Sequence, residues 1–124
     1  MTFQLGENSA LLKPVQVGDT VAANRIFMAP LTRTRAEPDA TPSELAATYY
    51  AQRASAGLII SEATAVSRGA NGAYGNTPGM YTDRHQQRWA EVADAVHAEG
   101  GRMFVQLWHV GRMAHPDISG VETV

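Results

Sequence analysis

Three short apolar runs alternate with two helical segments, and this alternation constrains the fold more than any other feature of the sequence. The runs are "RIFMA" at 25–29, "GLIISEA" at 57–63 and "RMFVQLW" at 102–108, with helical patterns over 41–57 and 83–100. Repeating βα units predict a parallel sheet with right-handed crossovers. Two α/β architectures remain open at this point, a doubly wound sheet and part of a (β/α)8 barrel.

Capping residues mark the ends of the predicted helices. Thr41, Pro42 and Glu44 form a capping box at the first helix, and Gly57 is its natural stop. Thr82 caps the second helix. Each helix also has an apolar stripe that we predict to be buried, formed by Leu45, Tyr49 and Ala56 in the first helix and by Trp89, Val92, Ala93 and Val96 in the second.

The remaining segments are predicted from their turn residues. Residues 11–23 form two β-prone runs around Gly18 and Asp19, which indicates a hairpin. The glycine-rich stretch 66–80 is predicted to be a functional loop, and the chain from His109 onward to be irregular. We therefore predict a single domain over 1–124, with an N-terminal segment and hairpin at 1–23, strands and helices at 24–108, and the start of a long loop at 109–124.

Charge and cysteine content exclude several classes of function. The 124-residue chain has a formal net charge of −2 and scattered arginines, which argues against nucleic-acid binding. No cysteine is present, so neither a disulfide nor a thiolate metal site is possible. The N-terminal segment lacks a signal-peptide pattern, and no apolar stretch is long enough to span a bilayer. We expect a soluble, cytoplasmic protein.

Side chains that follow the three strands are the candidate functional groups, because α/β folds gather their sites at the carboxyl ends of parallel strands. These residues are 29–33, 62–64 and 106–109. No group among them has metal-ligand spacing, and we predict no metal site. The glycines of 66–80 do not match the dinucleotide fingerprint, so any nucleotide-like cofactor is bound by other means.

Gln106 is the most informative of these residues, because its amide needs partners inside an otherwise apolar strand. It either bonds to backbone or water, or pairs with the imide-like edge of a flat heteroaromatic ring, which presents C=O, N–H and C=O in a row. Thr32 poses the same choice between a structural hydroxyl and one aimed at a ligand oxygen. Arg33 and Arg35 remain open between pairing with carboxylates and contacting a ligand.

Four stretches together carry a resemblance to a known family. "NRIFMAPLTRTRA", "YYAQRASAGLIISEATAVS", "GNTPGMYTD" and "QLWHVGRMAHP" resemble, in order and spacing, the opening third of the Old Yellow Enzyme family, over about Val15 to Gly120. Thr32, where the other main branch of the family has cysteine, points to the classical branch. The resemblance implies the first three βα units of a (β/α)8 TIM barrel, preceded by the hairpin, and FMN as the cofactor.

The resemblance also implies roles for individual residues. Pro30, Leu31 and Thr32 would line the flavin, and Thr32 would hydrogen-bond its O4 atom and tune its redox potential. Ala63 would approach the ring where a larger side chain clashes, and Gln106 would bond the pyrimidine edge. The substrate cavity above the flavin would be bordered by Tyr74 and Trp108.

The family reduces activated C=C bonds of α,β-unsaturated carbonyl or nitro compounds with hydride from NADPH or NADH. Its substrate-polarising His/Asn or His/His pair, its proton-donating tyrosine and its phosphate-binding arginine lie on later strands, so we predict no catalytic residue in this chain. A complete barrel takes about 250 residues. We therefore predict a split, nicked or permuted enzyme completed by a complementary polypeptide. The alternatives are a stand-alone, non-catalytic flavin-binding module and an inactive assembly fragment.

Overall fold

Two small sheets organise the chain in the computed structural model, which describes residue 6 and residues 9–122. An antiparallel hairpin is formed by β1 (Val15–Val17) and β2 (Thr20–Ala22). A parallel sheet contains, in spatial order, β3 (Phe27–Met28), β4 (Leu58–Ala65) and β5 (Met103–Trp108). The predicted hairpin and the predicted parallel sheet are both confirmed.

The hairpin turns where the sequence predicts. Val15 is paired with Ala22, and the turn between the strands begins at Gly18, which has a φ of +56°. Glycine occupies this left-handed conformation without the steric penalty that a side chain brings. The local Gly-Asp signal is therefore sufficient to place the turn.

Three α-helices accompany the strands in the described part of the chain: α1 (Leu45–Ala51), α2 (Asp83–Ala98) and α3 (Pro116–Ser119). None of them is long and apolar enough to cross a membrane. The elements follow the order β3, α1, β4, α2, β5 along the chain. This is the order of the first three strands of a (β/α)8 barrel with the helices between them, as predicted.

Helix α2 agrees closely with its prediction. The Thr82 hydroxyl accepts a hydrogen bond of 3.2 Å from the backbone N–H of His85, which caps the helix. Trp89, Val92 and Val96 are buried as expected, whereas Ala93 is only half-buried. His85 is also buried, which the apolar pattern did not indicate.

Replacing Thr82 by alanine is expected to lower the free energy of unfolding by about 1 kcal/mol, because the cap bond to the first turn of α2 is lost. Chemical denaturation measures the change. Thr48→Ala is the matched control, since Thr48 is exposed on α1 and caps no helix. Equal effects of the two substitutions would contradict the capping role.

The predicted start of α1 is wrong. The helix begins at Leu45, and its N-cap residue Glu44 makes no side-chain cap hydrogen bond. Thr41 is instead buried in the preceding turn, where its N–H donates to Asp39 Oδ1 at 3.1 Å and its carbonyl accepts from the N–H of Glu37 at 2.8 Å. Because these contacts hold Thr41 in the turn, it is not available as a cap.

The predicted end and stripe of α1 also need correction. The helix ends at Ala51, six residues before Gly57. Leu45 is 75% exposed rather than buried. The buried positions of the helix are Ala46 and Tyr50, whereas the predicted Tyr49 and Ala56 are only half-buried, so the helix is rotated relative to the predicted stripe.

Gly57 has a different role from the predicted helix stop. Its N–H donates to the Ile26 carbonyl and to Asn24 Oδ1, both at 2.9 Å, at the start of β4. A Cβ added at Gly57 would lie 2.0 Å from the Asn24 carbonyl oxygen. Only glycine lets the two backbones approach this closely.

Two segments predicted to be irregular contain short helices. A 3₁₀ turn spans Arg68–Ala70 within the loop 66–80, and a parallel bridge joins Ala65 to Gly79. After His109, a 3₁₀ turn at Gly111–Met113 precedes α3. The prediction of irregular structure from His109 onward is therefore wrong for these residues.

The core lies between the helices and one face of the parallel sheet. Its buried members are Ala46, Tyr50, Ala54, Ile59, Trp89, Val92 and Val96. The opposite face of the sheet, which we call the helix-free face, is not covered by a described helix. Phe27 on β3 and Phe104 on β5 are 41% and 47% exposed there. In a closed barrel this face points to the interior.

Candidate functional site

A bulge in β4 determines which side chains reach the helix-free face. Ile60 pairs with Phe104 and Ala63 pairs with Gln106, so β4 has one more residue than β5 between these pairs. Side chains of paired residues on neighbouring strands point to the same face. Without the extra residue, Glu62 would pair with Gln106. With it, Ala63 takes that place.

Hydroxyl groups bond to backbone groups at the bulge. Ser61 Oγ donates to the Glu62 carbonyl at 3.0 Å and accepts the Gln106 N–H at 3.1 Å. Thr64 Oγ1 donates to the same carbonyl at 2.9 Å. Unpaired buried backbone groups are costly, so these bonds stabilise the bulged conformation.

Ala63 and Gln106 thus lie side by side near the carboxyl end of the sheet. Ala63 is buried and small, whereas the Gln106 side chain is exposed. The Gln106 amide makes no side-chain hydrogen bond with any residue from 9 to 122, although its backbone N–H is bonded. A free amide beside a small residue is suited to the polar edge of a flat ring.

The Glu62 carboxylate turns away from this face toward α1. Arg33 forms an ion pair with it through its guanidinium and also donates its backbone N–H to Oε2 at 3.4 Å. The Tyr50 hydroxyl donates to Oε1 at 3.3 Å and accepts the Glu62 N–H at 2.9 Å. Burial, together with the Glu62 charge, raises the pKa of Tyr50 far above its ordinary value. The hydroxyl therefore stays protonated and remains a donor.

Arg33 and Arg35, for which pairing with a carboxylate and contact with a ligand were both left open, have different surroundings. Arg33 pairs with Glu62, whereas Arg35 is exposed and contacts the Thr34 carbonyl at 3.3 Å. Sequence reasoning did not single out Glu62 or Tyr50. The available signal was an acidic residue inside a continuous apolar run, which requires a partner when buried.

The predicted flavin-lining segment after β3 is accessible. Pro30 is exposed, Leu31 is 62% exposed and Thr32 is half-buried. Leu31 and Thr32 line an open groove toward α1 rather than a pocket shared with Ala63 and Gln106. Thr32 is nevertheless linked indirectly to Ala63. Its sequence neighbour Arg33 forms an ion pair with Glu62, which is the sequence neighbour of Ala63.

Tyr74 and Trp108, predicted to border the substrate cavity, are in contact. Their rings stack with centroids 6.1 Å apart and planes 11° apart. Tyr74 is 51% exposed, and the Trp108 indole Nε1–H is buried without a partner among the described residues. The stack forms a flat aromatic wall at the carboxyl end of β5.

These residues fit a flavin at this edge. The fit rests on the free Gln106 amide and the small Ala63 beside it. The half-buried Thr32 hydroxyl makes no hydrogen bond with another described residue, but it lines the separate groove toward α1. No group of three or more potential metal ligands lies together between residues 9 and 122. The chemistry that the arrangement supports is binding of a planar, polar-edged ring against one side of the sheet.

Comparison with known proteins assigns the family. Residues 10–122 match the model of the NADH:flavin oxidoreductase / NADH oxidase family. The chain belongs to this family. The resemblance to Old Yellow Enzymes is thereby confirmed, as are FMN and a nicotinamide dinucleotide as cofactors at the level of the family.

Individual members of the flavin oxidoreductase family are similar to most of this chain. Chanoclavine-I aldehyde reductase of Penicillium roqueforti is 49% identical over 114 residues, which are 90% of this chain and 31% of that protein. The Old Yellow Enzyme homologue of Zymomonas mobilis has a TM-score of 0.88 at 49% identity, over 93% of this chain and 32% of its own. Morphinone reductase in complex with tetrahydroNAD has a TM-score of 0.82 at 55% identity, over 87% of this chain and 29% of the morphinone reductase chain.

The chain spans about a third of the length of these relatives. Its similarity to Old Yellow Enzyme structures confirms the fold prediction, namely the first part of a TIM barrel.

Proposed function

We propose that the protein is an FMN-dependent ene-reductase that uses NADPH or NADH to reduce activated C=C bonds of α,β-unsaturated carbonyl or nitro compounds. The observation that carries this proposal is the Ala63–Gln106 pair on the helix-free face, where a free amide lies beside a small side chain. Membership in a family of flavin oxidoreductases supports it. The names of the relatives, which include an aldehyde reductase and morphinone reductase, agree with carbonyl-containing substrates.

Five residues of this chain would hold the flavin. Gln106 would donate to and accept from the pyrimidine edge, and Ala63 would leave room for the ring to lie close to β4. Thr32 would donate its hydroxyl to the O4 atom, while Pro30 and Leu31 would form apolar contacts at the end of β3. FMN, when bound, supplies the hydride chemistry that amino-acid side chains lack.

Tyr74 and Trp108 would bound the cavity in which substrate and nicotinamide bind in turn. Their stacked rings present an apolar surface that would orient a flat enone and exclude water. The groups that polarise the substrate and donate the proton would come from barrel strands other than β3–β5. Residues 1–124 would thus contribute one part of a single barrel domain, with the barrel strands β3–β5 and the helices α1 and α2 within 24–108.

The exposed apolar side chains of the sheet support the need for further barrel strands. Phe27 and Phe104 would be covered by the remaining strands in a closed barrel. These strands would belong either to the same polypeptide or to a complementary one. The relatives give no support to a separate partner, because their single chains are about three times as long as the matched region. The two non-catalytic alternatives also have no specific observation in their favour.

Turnover tests the proposed reaction directly. The native protein, supplied with FMN, is expected to oxidise NADPH or NADH faster when 2-cyclohexenone or a nitroalkene is added, with the saturated compound as product. Product analysis by gas chromatography distinguishes reduction of the C=C bond from oxidase activity. Bound FMN without any saturated product would favour the non-catalytic flavin-binding module.

Thr32→Val is expected to retain FMN and to make its midpoint potential more negative, because a donor to O4 favours the more electron-rich reduced ring. Spectroelectrochemistry measures the potential. Thr48→Val, on the exposed surface of α1, is the control and is expected to leave it unchanged. An unchanged potential in Thr32→Val would contradict the proposed contact.

A further inference from the structure

A single ion pair connects the two segments that carry Thr32 and Ala63. Arg33 and Glu62 are 13% and 3% exposed, so the pair is largely removed from water. Two kinds of donor from Arg33 reach the carboxylate: its backbone N–H binds Oε2, and its guanidinium binds Oε1. The pair therefore restrains the Arg33 backbone as well as its side chain.

Each member of the pair is adjacent in sequence to a proposed flavin contact. Thr32 precedes Arg33 in the segment after β3, and Ala63 follows Glu62 in the bulge of β4. β3 contains only two paired residues, Phe27 and Met28, so sheet hydrogen bonds end several residues before Thr32. Beyond that point, the Glu62 contacts are the ones that attach this segment to β4.

Aromatic side chains of α1 hold both members of the pair in place. The Arg33 guanidinium lies over the Tyr49 ring at 4.0 Å and near the Tyr50 ring at 5.0 Å. Tyr50 also bonds both the carboxylate and the N–H of Glu62. Planar guanidinium groups are favoured for this combination of stacking and carboxylate binding.

We propose that the Arg33–Glu62 pair, supported by Tyr50, is the positioning device of the flavin site, fixing Thr32 relative to the bulge that carries Ala63. The inference rests on the proposed function, because it assumes that FMN binds at this edge. Neither Arg33 nor Glu62 would contact the flavin. Both are positioning residues that act through their sequence neighbours.

The bulge in β4 also determines on which face of the sheet the Glu62 charge lies. In a regular strand Glu62 would pair with Gln106, and its negative charge would face the proposed flavin position. The bulge places the carboxylate on the α1 side, where Arg33 neutralises it. One extra residue in β4 thus removes a charge from the site and uses it to anchor the neighbouring segment.

Glu62→Gln in the FMN-loaded native protein tests the proposal, with two independent readouts. Amide hydrogen exchange of residues 31–34 and 61–64 is expected to accelerate by about tenfold or more, while α2 keeps its protection, because loss of a charge-assisted bond frees both segments. The dissociation constant of FMN is expected to rise by about tenfold or more. Tyr50→Phe keeps the ion pair and is expected to cause smaller changes in the same direction.

Arg53→Gln is the matched control. Arg53 lies over the same Tyr49 ring at 3.8 Å and donates to the Tyr49 carbonyl at 2.6 Å, without contacting Glu62. The substitution Arg53→Gln therefore removes a similar cation from the same aromatic side chain. Neither the exchange of 31–34 nor FMN affinity is expected to change. Arg33→Lys, which keeps the charge and loses the planar guanidinium, serves if Glu62→Gln does not fold, and is expected to weaken FMN binding.

The outcomes separate failure of the inference from failure of the proposed function. If the unsubstituted protein binds no FMN, the proposed function fails, and the flavin role of the pair fails with it. If that protein binds FMN but Glu62→Gln binds it equally well, only the positioning role is overturned. The positioning role is also overturned if Glu62→Gln exchanges faster but binds FMN with unchanged affinity, because the pair would then be purely structural. It is likewise overturned if Arg53→Gln weakens FMN binding as much as Glu62→Gln does.

Discussion

Gln106→Leu is expected to weaken FMN binding by roughly 30-fold, or about 2 kcal/mol, because the two hydrogen bonds of the amide to the pyrimidine edge are lost and the flavin groups remain unpaired. Leucine has a similar size, and position 106 is exposed on the helix-free face of the described chain. The loss of affinity should therefore not arise from a damaged core. Fluorescence titration of the apoprotein with FMN measures it.

Gln87→Leu is the control for this substitution. Gln87 is exposed on α2, on the other side of the sheet from Gln106, so the same chemical change is made away from the proposed site. FMN affinity is expected to stay at the unsubstituted value. Equal affinity in both variants would mean that Gln106 is satisfied by backbone or water, which is the other interpretation of its amide.

Glu62→Ala is expected to lower the free energy of unfolding by about 3–5 kcal/mol, the largest effect that we predict on stability. The substitution leaves the Arg33 guanidinium half-enclosed by aromatic rings without its counter-ion. Removing one partner of a buried ion pair is much more costly than replacing both with apolar side chains. Urea denaturation of the native protein measures the change.

Two further variants define the source of this loss. The double substitution Arg33→Met and Glu62→Leu is expected to recover most of the stability, because neither position then carries an unpaired charge. Glu91→Ala breaks the pair between Arg88 and Glu91, which is more exposed than the Arg33–Glu62 pair, and is expected to cost at most about 1 kcal/mol. A loss for Glu62→Ala no greater than that for Glu91→Ala would contradict the account of a buried, stabilising pair.

Elements that are specified by local signals could be predicted from the sequence. The hairpin follows from its Gly-Asp turn, and α2 from the Thr82 cap and an apolar stripe over about two turns. Both signals act between residues close in the chain, so they do not depend on the rest of the fold. The order of strands and helices was predictable for the same reason.

Elements that depend on distant contacts could not be predicted in this way. Thr41 has every local feature of a cap, but its N–H bonds to the Asp39 carboxylate and its carbonyl to the Glu37 N–H, which hold it in a buried turn, and α1 begins at Leu45. The β4 bulge has no local signal in the sequence, because it is defined only by pairing with β5.

The candidate site shows the same division. The residue types at the strand ends pointed to Gln106 and Thr32, and the family resemblance added Ala63, Tyr74 and Trp108. The role of Arg33 was left open and Glu62 was not singled out, since the two residues lie 29 positions apart and are joined only in the folded structure. The supporting contacts of a site are thus harder to predict than its exposed groups.

A crystal structure of the native protein after incubation with FMN would test the central claim most directly. We expect an isoalloxazine ring at the carboxyl end of β3–β5, with its pyrimidine edge about 3 Å from the Gln106 amide and Ala63 against the ring. A flavin bound elsewhere, or a Gln106 amide bonded only to backbone or water beside a bound flavin, would contradict it.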